Sequence, residues 1–404
     1  MNSGELKLRL LLVGLRVDFD ALARCSYKSD KHFHNDRHVV SPWNINRIPQ
    51  EIILKCGRES ICVSVLIRPQ SRYLLTKDAD GLCIKEGATR IDVAVALPPE
   101  PLFWSETTRD GISVSDILSL PGLNELSLWT WHDCALQRRG KGCAFCRTTH
   151  TAARFGRLTG SPLLNSALVE SLVAKGEFFP WHYDRLLARA NDCISAALRL
   201  DFGDSPYWFT VISGALRHEF ADFQNELFAR LIADLLRLNP GLDRERVVTN
   251  SMIPNSPAMF RYVRTNGAAY YAANMELWSD EARRAMCPGK AERERDKIVE
   301  MVCEAASVFG AGKVWCNFVC GLEPLNAQLE AYDALGRYGV ACGANVFHKD
   351  PGVEVDFHPS VTEEKVLNYY KQAAKLLRKH GLCPCYSQES RRSSLLWEAY
   401  HGLI

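Results

Sequence analysis

The chain of 404 residues lacks the features that mark membrane, nucleic-acid-binding and extracellular proteins. It contains no run of about twenty apolar residues, so no segment is expected to span a bilayer. The apolar stretch at residues 10–15 is short and is followed by Arg16, which predicts a strand rather than a signal peptide. The formal net charge of only +2 gives no electrostatic footprint for nucleic acid or for an anionic membrane surface. Internal repeats and low-complexity tracts are absent too.

The cysteine content excludes a secreted disulfide scaffold, which is usually shorter and denser in cysteine. The fifteen cysteines are odd in number and scattered, as expected for reduced thiols in the cytoplasm. Most of them, such as Cys193 and Cys303, fall within apolar helical patterns and are predicted to be core residues. The apolar fraction of 47% is sufficient for a sizeable core without covalent cross-links.

Two regions with different patterns of apolar residues follow one another along the chain. Residues 1–120 are predicted to form a strand-rich accessory α+β region, with β-segments at 5–17, 60–68 and 90–97. From about residue 121 to residue 380, short apolar runs alternate with longer helical patterns. The predicted strands are 125–131, 207–213, 246–252, 268–275, 313–320 and 340–347. The predicted helices are 183–200, 219–238, 290–309, 325–338 and 362–380.

Six successive β/α units predict an α/β fold with a parallel sheet, because continuous apolar strands indicate that both faces are buried. A partial (β/α)6 TIM barrel is one arrangement, and a doubly wound open sheet is the other. Residues 381–404 are predicted to be a short C-terminal extension that caps the barrel. In either fold, chemistry is expected at the carboxyl ends of the strands.

A group of three cysteines follows the first predicted strand in the spacing C-x8-C-x2-C. Cys134, Cys143 and Cys146 can hold three irons of a four-iron cluster and leave the fourth iron open to a small molecule. A structural zinc site is the alternative, with His132 or His150 as the fourth ligand. A chance grouping in a cysteine-rich chain is also possible.

This loop resembles that of the radical S-adenosylmethionine (radical SAM) enzymes, which carry C-x3-C-x2-C after the first strand of a six-unit partial barrel. Like them, the chain has an aromatic residue, Phe145, before the last cysteine, but it has eight residues between the first two. The resemblance implies that Cys134, Cys143 and Cys146 hold a [4Fe–4S] cluster. It also implies that S-adenosylmethionine chelates the open iron and that Phe145 packs near its adenine.

Further motifs occur in the order expected for this family. Ser213 and Gly214 resemble the turn that surrounds the methionine amino group. The Asn274-x-Glu276 pattern resembles the ribose-binding pair of the biotin synthase and lipoyl synthase branch. Arg295 matches an arginine that reaches the cofactor carboxylate, with Arg293 as an equal rival on spacing.

The last two predicted strands add the remaining candidates. Gly321 and Glu323 resemble the glycine-containing end of the family's fifth strand, where a glycine lets the backbone approach the adenine. Asn345 lies in the stretch that resembles the sixth strand. His348 and Asp350 come directly after it and face the expected substrate position, so they are the candidate catalytic residues.

The resemblance implies an enzyme that reductively cleaves S-adenosylmethionine to a 5′-deoxyadenosyl radical, which abstracts hydrogen from a small molecule. A reductant such as flavodoxin or ferredoxin is the expected partner. Nucleic acid and membranes are not expected partners. The alternatives are a metabolite-binding barrel with a zinc clip, or a two-cluster sulfur-transfer enzyme that uses Cys383 and Cys385. Arg391 and Arg392 are candidates for a clamp on a substrate carboxylate or phosphate.

Overall fold

A seven-stranded sheet forms the centre of the fold. The computed structural model describes residues 2–29, 48–56, 59–147, 164–203, 205–350 and 353–404. The strands lie in the order β14-β13-β12-β11-β10-β9-β8. The six strands from β9 to β14 are parallel to one another, and β8 is antiparallel to β9. The bounds are β8 Leu118–Ser119, β9 Glu125–Trp129, β10 Trp208–Ile212, β11 Val247–Asn250, β12 Tyr270–Glu276, β13 Val314–Cys320 and β14 Val340–Val346.

Within the described residues, each of the six parallel strands is followed along the chain by at least one helix. The helices from the first parallel strand onwards are α2 Ala135–Arg138, α3 Ser166–Lys175, α4 Trp181–Ala197, α5 Ala221–Leu238, α6 Ala258–Thr265, α7 Asp280–Met286, α8 Pro288–Ala291, α9 Arg295–Phe309, α10 Leu325–Gly336, α11 Glu363–Lys379 and α12 Leu396–Tyr400. Strand order follows chain order without reversal, whereas a doubly wound sheet reverses at a switch point. The partial (β/α)6 barrel is therefore confirmed. Among the helices in the described ranges, none has the length and apolar character needed to cross a bilayer.

The two faces of the parallel sheet bury different sets of side chains, as the alternation of strand residues requires. Outward residues such as Ala273 and Cys316 belong to the large core that includes the helices. On the inner face, one buried residue from each of four neighbouring strands forms a separate cluster with Cys385. These strand residues are Val248, Ala272, Trp315 and Ala341. This cluster is the floor of the barrel interior.

The N-terminal region contains two small sheets, with strand orders β1-β4-β5-β6 and β3-β2-β7. Their strands are β1 Arg16–Val17, β2 Glu51–Cys56, β3 Glu59–Ser64, β4 Tyr73–Asp78, β5 Gly81–Glu86, β6 Thr89–Arg90 and β7 Ala94–Ala96. The strand predicted at residues 5–17 is wrong over most of its length, because Ser3–Val13 is a helix, α1. Asn2 and Glu5 form a capping box at its start, a helix signal that outweighs the short leucine-rich run.

The C-terminal segment joins the first and last parallel strands of the barrel. Cys385 Sγ contacts the carbonyl of Ala341 at the start of β14 at 3.6 Å, and the N–H of Val346 at its end donates to the carbonyl of Ser393 at 2.8 Å. Asn124, just before β9, donates through Nδ2 to Ser387 Oγ at 3.0 Å. The segment therefore bridges the opening that a six-stranded barrel leaves between its two edges.

Candidate active site

The three-cysteine loop leaves the carboxyl end of β9, as predicted, and its first residues are held rigidly. Asp133 is 1% exposed, and its carboxylate accepts hydrogen bonds from the N–H and the hydroxyl of Ser166, both at 2.6 Å. Arg138 Nε donates to the same carboxylate. Because charged hydrogen bonds are among the strongest in proteins, Asp133 ties the start of the loop to the start of α3.

The eight residues between Cys134 and Cys143 form the short helix α2 and a turn that returns to the neighbouring strand ends. Three backbone hydrogen bonds dock the loop: Ala135 N–H to the Ala215 carbonyl (2.8 Å), Gly289 N–H to the Lys141 carbonyl (2.8 Å) and Ala144 N–H to the Met286 carbonyl (2.7 Å). The long spacing is thus accommodated by one extra turn of helix, without displacing the loop from the strand ends.

Gly214, predicted to surround a cofactor amino group, has a clear packing role. A Cβ atom at this position would lie 1.9 Å from the carbonyl oxygen of Asp133 and 3.0 Å from the amide nitrogen of Cys134. Both obstacles are backbone atoms, so they cannot yield as a flexible side chain would. The carbonyl of Gly214 also accepts a hydrogen bond from Trp131 Nε1 at 2.9 Å. Glycine here allows the loop after β10 to touch the cysteine loop. Ser213, next to it, lines the cavity described below.

None of the three thiols of the motif forms a disulfide within the described residues, and all three are partly buried. Burial raises the pKa of the Cys134 thiol. A hydrogen bond with Cys287, together with burial, raises the pKa of Cys143 well above its usual value. Cys287 itself is buried and lies between α7 and α8. In this structure Cys143 therefore has a fourth cysteine as its neighbour.

The donor set of three cysteine thiols on one loop fits an iron–sulfur cluster by its chemistry. Within the described residues, however, no group of three or more histidine, cysteine or carboxylate side chains is gathered for a metal ion. Binding of a cluster therefore requires the thiols to converge. The zinc alternative receives no support from His132, since its Nε2 bonds to the Asp116 carbonyl at 2.6 Å and its ring stacks on Trp129. His150 lies outside the described residues.

A cavity opens beside this loop at the carboxyl ends of β10, β11 and β12. Its empty volume is about 680 Å³, including its opening to solvent. Its polar lining comprises Ser213, His218, Gln224, Asn250, Ser251, Asn274, Arg283, Lys290 and Arg293. Leu136 of α2 contributes to the apolar lining, so the cysteine loop forms part of the wall. The cavity has the position expected of a ligand site in a barrel of parallel strands.

Asn274 and Glu276 are brought together at this cavity by Lys290. The Lys290 ammonium donates to Glu276 Oε1 at 2.5 Å and to the Asn274 carbonyl at 3.0 Å. Burial opposes the charge of Lys290, but Glu276 raises its pKa above the usual lysine value. Glu276 has a φ of +68° beside a break in strand register, an uncommon conformation for a residue with a side chain. Such strain is characteristic of functional sites.

A ladder of asparagine amides crosses three neighbouring strands of the inner face. Asn317 Nδ2 donates to Asn274 Oδ1 at 2.9 Å, and Asn274 Nδ2 donates to Asn250 Oδ1 at 3.0 Å. The ladder fixes the orientation of the Asn274 amide, because both of its polar atoms are engaged. At the cavity end, Asn250 is a lining residue.

The two arginines considered for a cofactor carboxylate occupy different surroundings. Arg293 lines the cavity, but its guanidinium donates to the carbonyls of Ile253 and Pro254 and so holds the loop after β11. Arg295 lies at the start of α9, where it pairs with Asp296 at 3.2 Å and stands over the ring of Trp278 at 5.1 Å. The structure places Arg295 apart from the cavity lining.

Gly321 and Glu323 follow β13, as predicted, and both have structural contacts. Gly321 has a φ of +106°, and a Cβ atom there would lie 2.7 Å from the ring of Phe357. Glu323 is 1% exposed, and its carboxylate accepts the N–H groups of Trp278 and Ser279, each at 2.8 Å. Glu323 thereby caps the start of α7, and both of its oxygens are occupied in this role.

The remaining candidates lie around the other strand ends. Phe145 packs against a cluster that includes Cys287 and Phe347. Asn345, near the end of β14, is exposed. His348 and Asp350 form a pair with 3.7 Å between Nδ1 and Oδ1, and both side chains are largely buried. The described cavity is not lined by this pair.

The C-terminal cysteines do not share a site. Cys383 is exposed and contacts the Tyr400 hydroxyl, whereas Cys385 is 1% exposed in the floor of the barrel. Two thiols in such different surroundings do not form a common ligand pair in this structure.

Several residues at the site were missed from the sequence. In the sequence, Lys290 has the appearance of a charged residue at a helix start, and Cys287 that of one more scattered thiol. Asn250 and Asn317 have the appearance of ordinary strand residues. One signal was available: the amides stand at equivalent places in successive predicted strands, and such residues meet on one face of a parallel sheet.

Solved structures with similar folds were found. The chain is similar to coproporphyrinogen III oxidase from Escherichia coli, a radical SAM enzyme, with 11% identity, a TM-score of 0.34, and coverage of 43% of this chain and 40% of that one. It is similar to the FeFe-hydrogenase maturase from Carboxydothermus hydrogenoformans, with 14% identity, a TM-score of 0.38, and coverage of 65% and 53%. A radical SAM methyltransferase from Sphaerobacter thermophilus shows 12% identity, a TM-score of 0.42, and coverage of 81% of each chain.

The matched part therefore spans well under two thirds of the first two of these proteins. No family model matches the sequence, and no curated protein matches it either. Identities of 11% to 14% and TM-scores of 0.34 to 0.42 carry no argument about the reaction, which must come from the site itself. The chain is thus similar in structure to these radical SAM proteins, and the biotin synthase and lipoyl synthase branch stays a prediction.

Proposed function

We propose that this chain is a radical SAM enzyme that acts on a small molecule inside its partial barrel. The observation that carries the proposal is the position of the C-x8-C-x2-C loop. It leaves the carboxyl end of the first of six parallel strands and forms one wall of a polar cavity. Three thiols and a ligand-sized cavity at the same strand ends are what a cluster with a chelated cofactor requires.

Cys134, Cys143 and Cys146 would hold a [4Fe–4S] cluster, and S-adenosylmethionine would occupy the cavity. A reduced cluster held by these three thiols would supply the electron for reductive cleavage of S-adenosylmethionine, and so the radical chemistry on the substrate. The chain itself positions these groups. Asp133 and Gly214 hold the start of the loop against the strand ends.

The polar lining of the cavity is suited to a ligand that carries both charges and hydroxyl groups. Lys290, which lines the cavity, holds one carboxylate oxygen of Glu276, and the second oxygen can accept hydrogen bonds from hydroxyl groups. The amide ladder keeps Asn274 in one orientation beside it. Such fixed dipoles bind a ligand without reorganisation, which is the contribution of the protein to a radical reaction.

The remaining parts of the proposal concern location and partners. We propose a cytoplasmic enzyme that receives electrons from a flavodoxin or ferredoxin and has no nucleic-acid or membrane partner. The near-neutral charge of +2 supports the last part, since no strong field is present to attract polyanions.

The experiment is anaerobic reconstitution of the full chain with iron and sulfide, followed by iron counting and by detection of 5′-deoxyadenosine after dithionite reduction with S-adenosylmethionine. We expect about four irons per chain, a brown protein and 5′-deoxyadenosine. Replacement of each motif cysteine by serine should abolish all three signals. The matched control is Cys193→Ser, because Cys193 is fully buried within α4, away from the loop.

Two results would contradict the proposal. A colourless, zinc-loaded protein would favour a structural metal site. Equal iron content in the wild type and in the three loop variants would show that the cluster is held elsewhere. Loss of iron from the Cys383→Ser variant in addition to the loop variants would favour the two-cluster alternative.

A further inference from the structure

Arg391 lies in the segment that bridges the two edges of the barrel, and its guanidinium is buried in the barrel interior. Its exposed fraction is 6%. Its Nε donates to the carbonyl of Cys385 at 2.7 Å, and the guanidinium stands 5.1 Å from the centre of the Tyr386 ring. Tyr386 and Cys385 belong to the apolar floor of the barrel. The positive charge is therefore fixed directly above this floor.

One edge of this guanidinium is unused. Arg391 Nη2 is fully buried and has no hydrogen-bond partner, and Arg391 forms no ion pair with any carboxylate of the described residues. Its neighbour Arg392 differs, since it pairs with Glu51 at 2.9 Å. Buried polar groups are normally satisfied, so an unpartnered cationic N–H is a specific feature that requires an explanation.

The free Nη2 faces a gap that glycine creates in β14. The nearest atoms to the position of a Cβ on Gly343 are Arg391 Nη2 at 3.4 Å, and Asn317 Oδ1 and Cys385 Sγ, each at 3.6 Å. Asn345 lies two residues further along the same strand, so it is on the same face, and it is exposed. The side of Gly343 that Arg391 faces is therefore the side on which Asn345 is exposed.

Among the described residues, the half-buried carboxylate of Glu125 interacts electrostatically with Arg391. Its Oε1 already accepts hydrogen bonds from Ser127 Oγ at 3.0 Å and Thr210 Oγ1 at 3.2 Å. Burial raises the pKa of Glu125. Nothing among these contacts occupies Nη2 itself.

We propose that the Nη2 edge of Arg391, above Gly343, binds a carboxylate group of the substrate in the barrel interior. The inference rests on the proposed function in that the ligand is taken to be the substrate. A planar carboxylate carries one negative charge and matches the single guanidinium in charge and in hydrogen-bond geometry. A phosphate monoester carries up to two negative charges and would leave one of them buried without compensation.

The experiment measures binding of propionate to the full chain by saturation-transfer difference NMR, with propionamide as the uncharged probe of the same shape. This measurement needs neither a cluster nor S-adenosylmethionine. We expect saturable binding of propionate and roughly 10- to 100-fold weaker binding of propionamide, because only propionate carries a negative charge that pairs with the guanidinium. Inorganic phosphate should compete poorly.

Two variants test the position of the site. Arg391→Met removes the charge and should weaken propionate binding by roughly 10- to 100-fold. Gly343→Ala leaves the charge in place but fills the gap, and its new methyl group meets no atom closer than 3.4 Å, so the fold should be retained. It should weaken propionate binding to a similar extent. The matched control is Arg237→Met on the exposed face of α5, where the arginine is 68% exposed and binding should be unchanged.

Several outcomes would overturn the inference. Wild-type protein that shows no saturable binding of propionate would do so, as would equal binding of propionate and propionamide. Unchanged binding in Gly343→Ala would exclude the gap as the site even if Arg391→Met failed to fold. Tighter binding of phosphate than of propionate would exclude a carboxylate ligand. Absence of 5′-deoxyadenosine, by contrast, would refute the proposed function and leave the carboxylate site intact.

Discussion

Gly214→Ala is the substitution that should most clearly separate the packing of the cysteine loop from its chemistry. Gly214 does not have a positive φ, so alanine meets no backbone penalty of its own. The entire cost comes from the new methyl group, which would lie 1.9 Å from the Asp133 carbonyl oxygen and 2.5 Å from its carbon. Both atoms belong to a backbone segment that the Asp133–Ser166 hydrogen bonds hold in place.

The magnitude follows from the rigidity of that contact. Overpacking in a well-packed interior costs about 1–3 kcal/mol, and a clash with backbone atoms should lie near the upper end. We therefore expect the free energy of unfolding to fall by about 3 kcal/mol, measured by urea denaturation with an unchanged m-value. Iron content after reconstitution should fall as well, because Cys134 directly follows the displaced Asp133.

Gly241→Ala is the matched control. Its added methyl group would meet only Leu198 Cδ1, at 3.7 Å, which is an ordinary contact. Its stability should stay within about 0.5 kcal/mol of the wild type. If Gly214→Ala were as stable as Gly241→Ala and bound iron normally, the close approach of the two loops would not be a constraint, and the reasoning above would be refuted.

Two further substitutions test charged contacts away from the cavity. Lys7→Met removes the partner of the fully buried Glu398, 2.7 Å away, so the free energy of unfolding in urea should fall by about 3–5 kcal/mol. The double variant with Glu398→Gln should recover part of this stability. An unchanged urea midpoint in Lys7→Met would contradict the prediction. Hydrogen bonding from Arg189 lowers the pKa of Asp110 from 3.8 to about 2. Ionised Asp110 therefore contributes stability above its unfolded pKa, and this is lost as the pH falls through the folded value. Asp110→Asn should be less stable than the wild type by up to about 1 kcal/mol near neutral pH, since the carboxylate is about a third exposed, and the difference should vanish near pH 2. A difference that persisted in acid would contradict this.

The positions of the parallel strands could be predicted from the sequence because each strand is buried on both faces. A continuous apolar run such as 313–320 differs visibly from the amphipathic helices around it, and the observed strand Val314–Cys320 agrees closely. Residues 5–17 failed because a short leucine-rich run has no decisive period. The capping box at Asn2 and Glu5 was the signal that distinguishes helix from strand there.

The candidate site was less predictable from the sequence, because residues that are adjacent in the chain make different contacts in the folded protein. Arg391 and Arg392 are adjacent, yet Arg392 pairs with Glu51, whereas Arg391 lies in the barrel interior and its Nη2 has no hydrogen-bond partner among the described residues. Glu323 reads as a site carboxylate, but both its oxygens cap a helix start. Lys290 reads as a solvated helix residue, but it pairs with Glu276.

By itself the sequence determined the alternation of strands and helices and the place of the cysteine loop after the first of six units, because local hydrophobic periodicity encodes both. Only the tertiary structure decided which side chains meet. The contact of Gly214 with Asp133 and the gap between Gly343 and Arg391 join residues far apart in the chain. Such contacts depend on how the elements pack, and no local pattern records them.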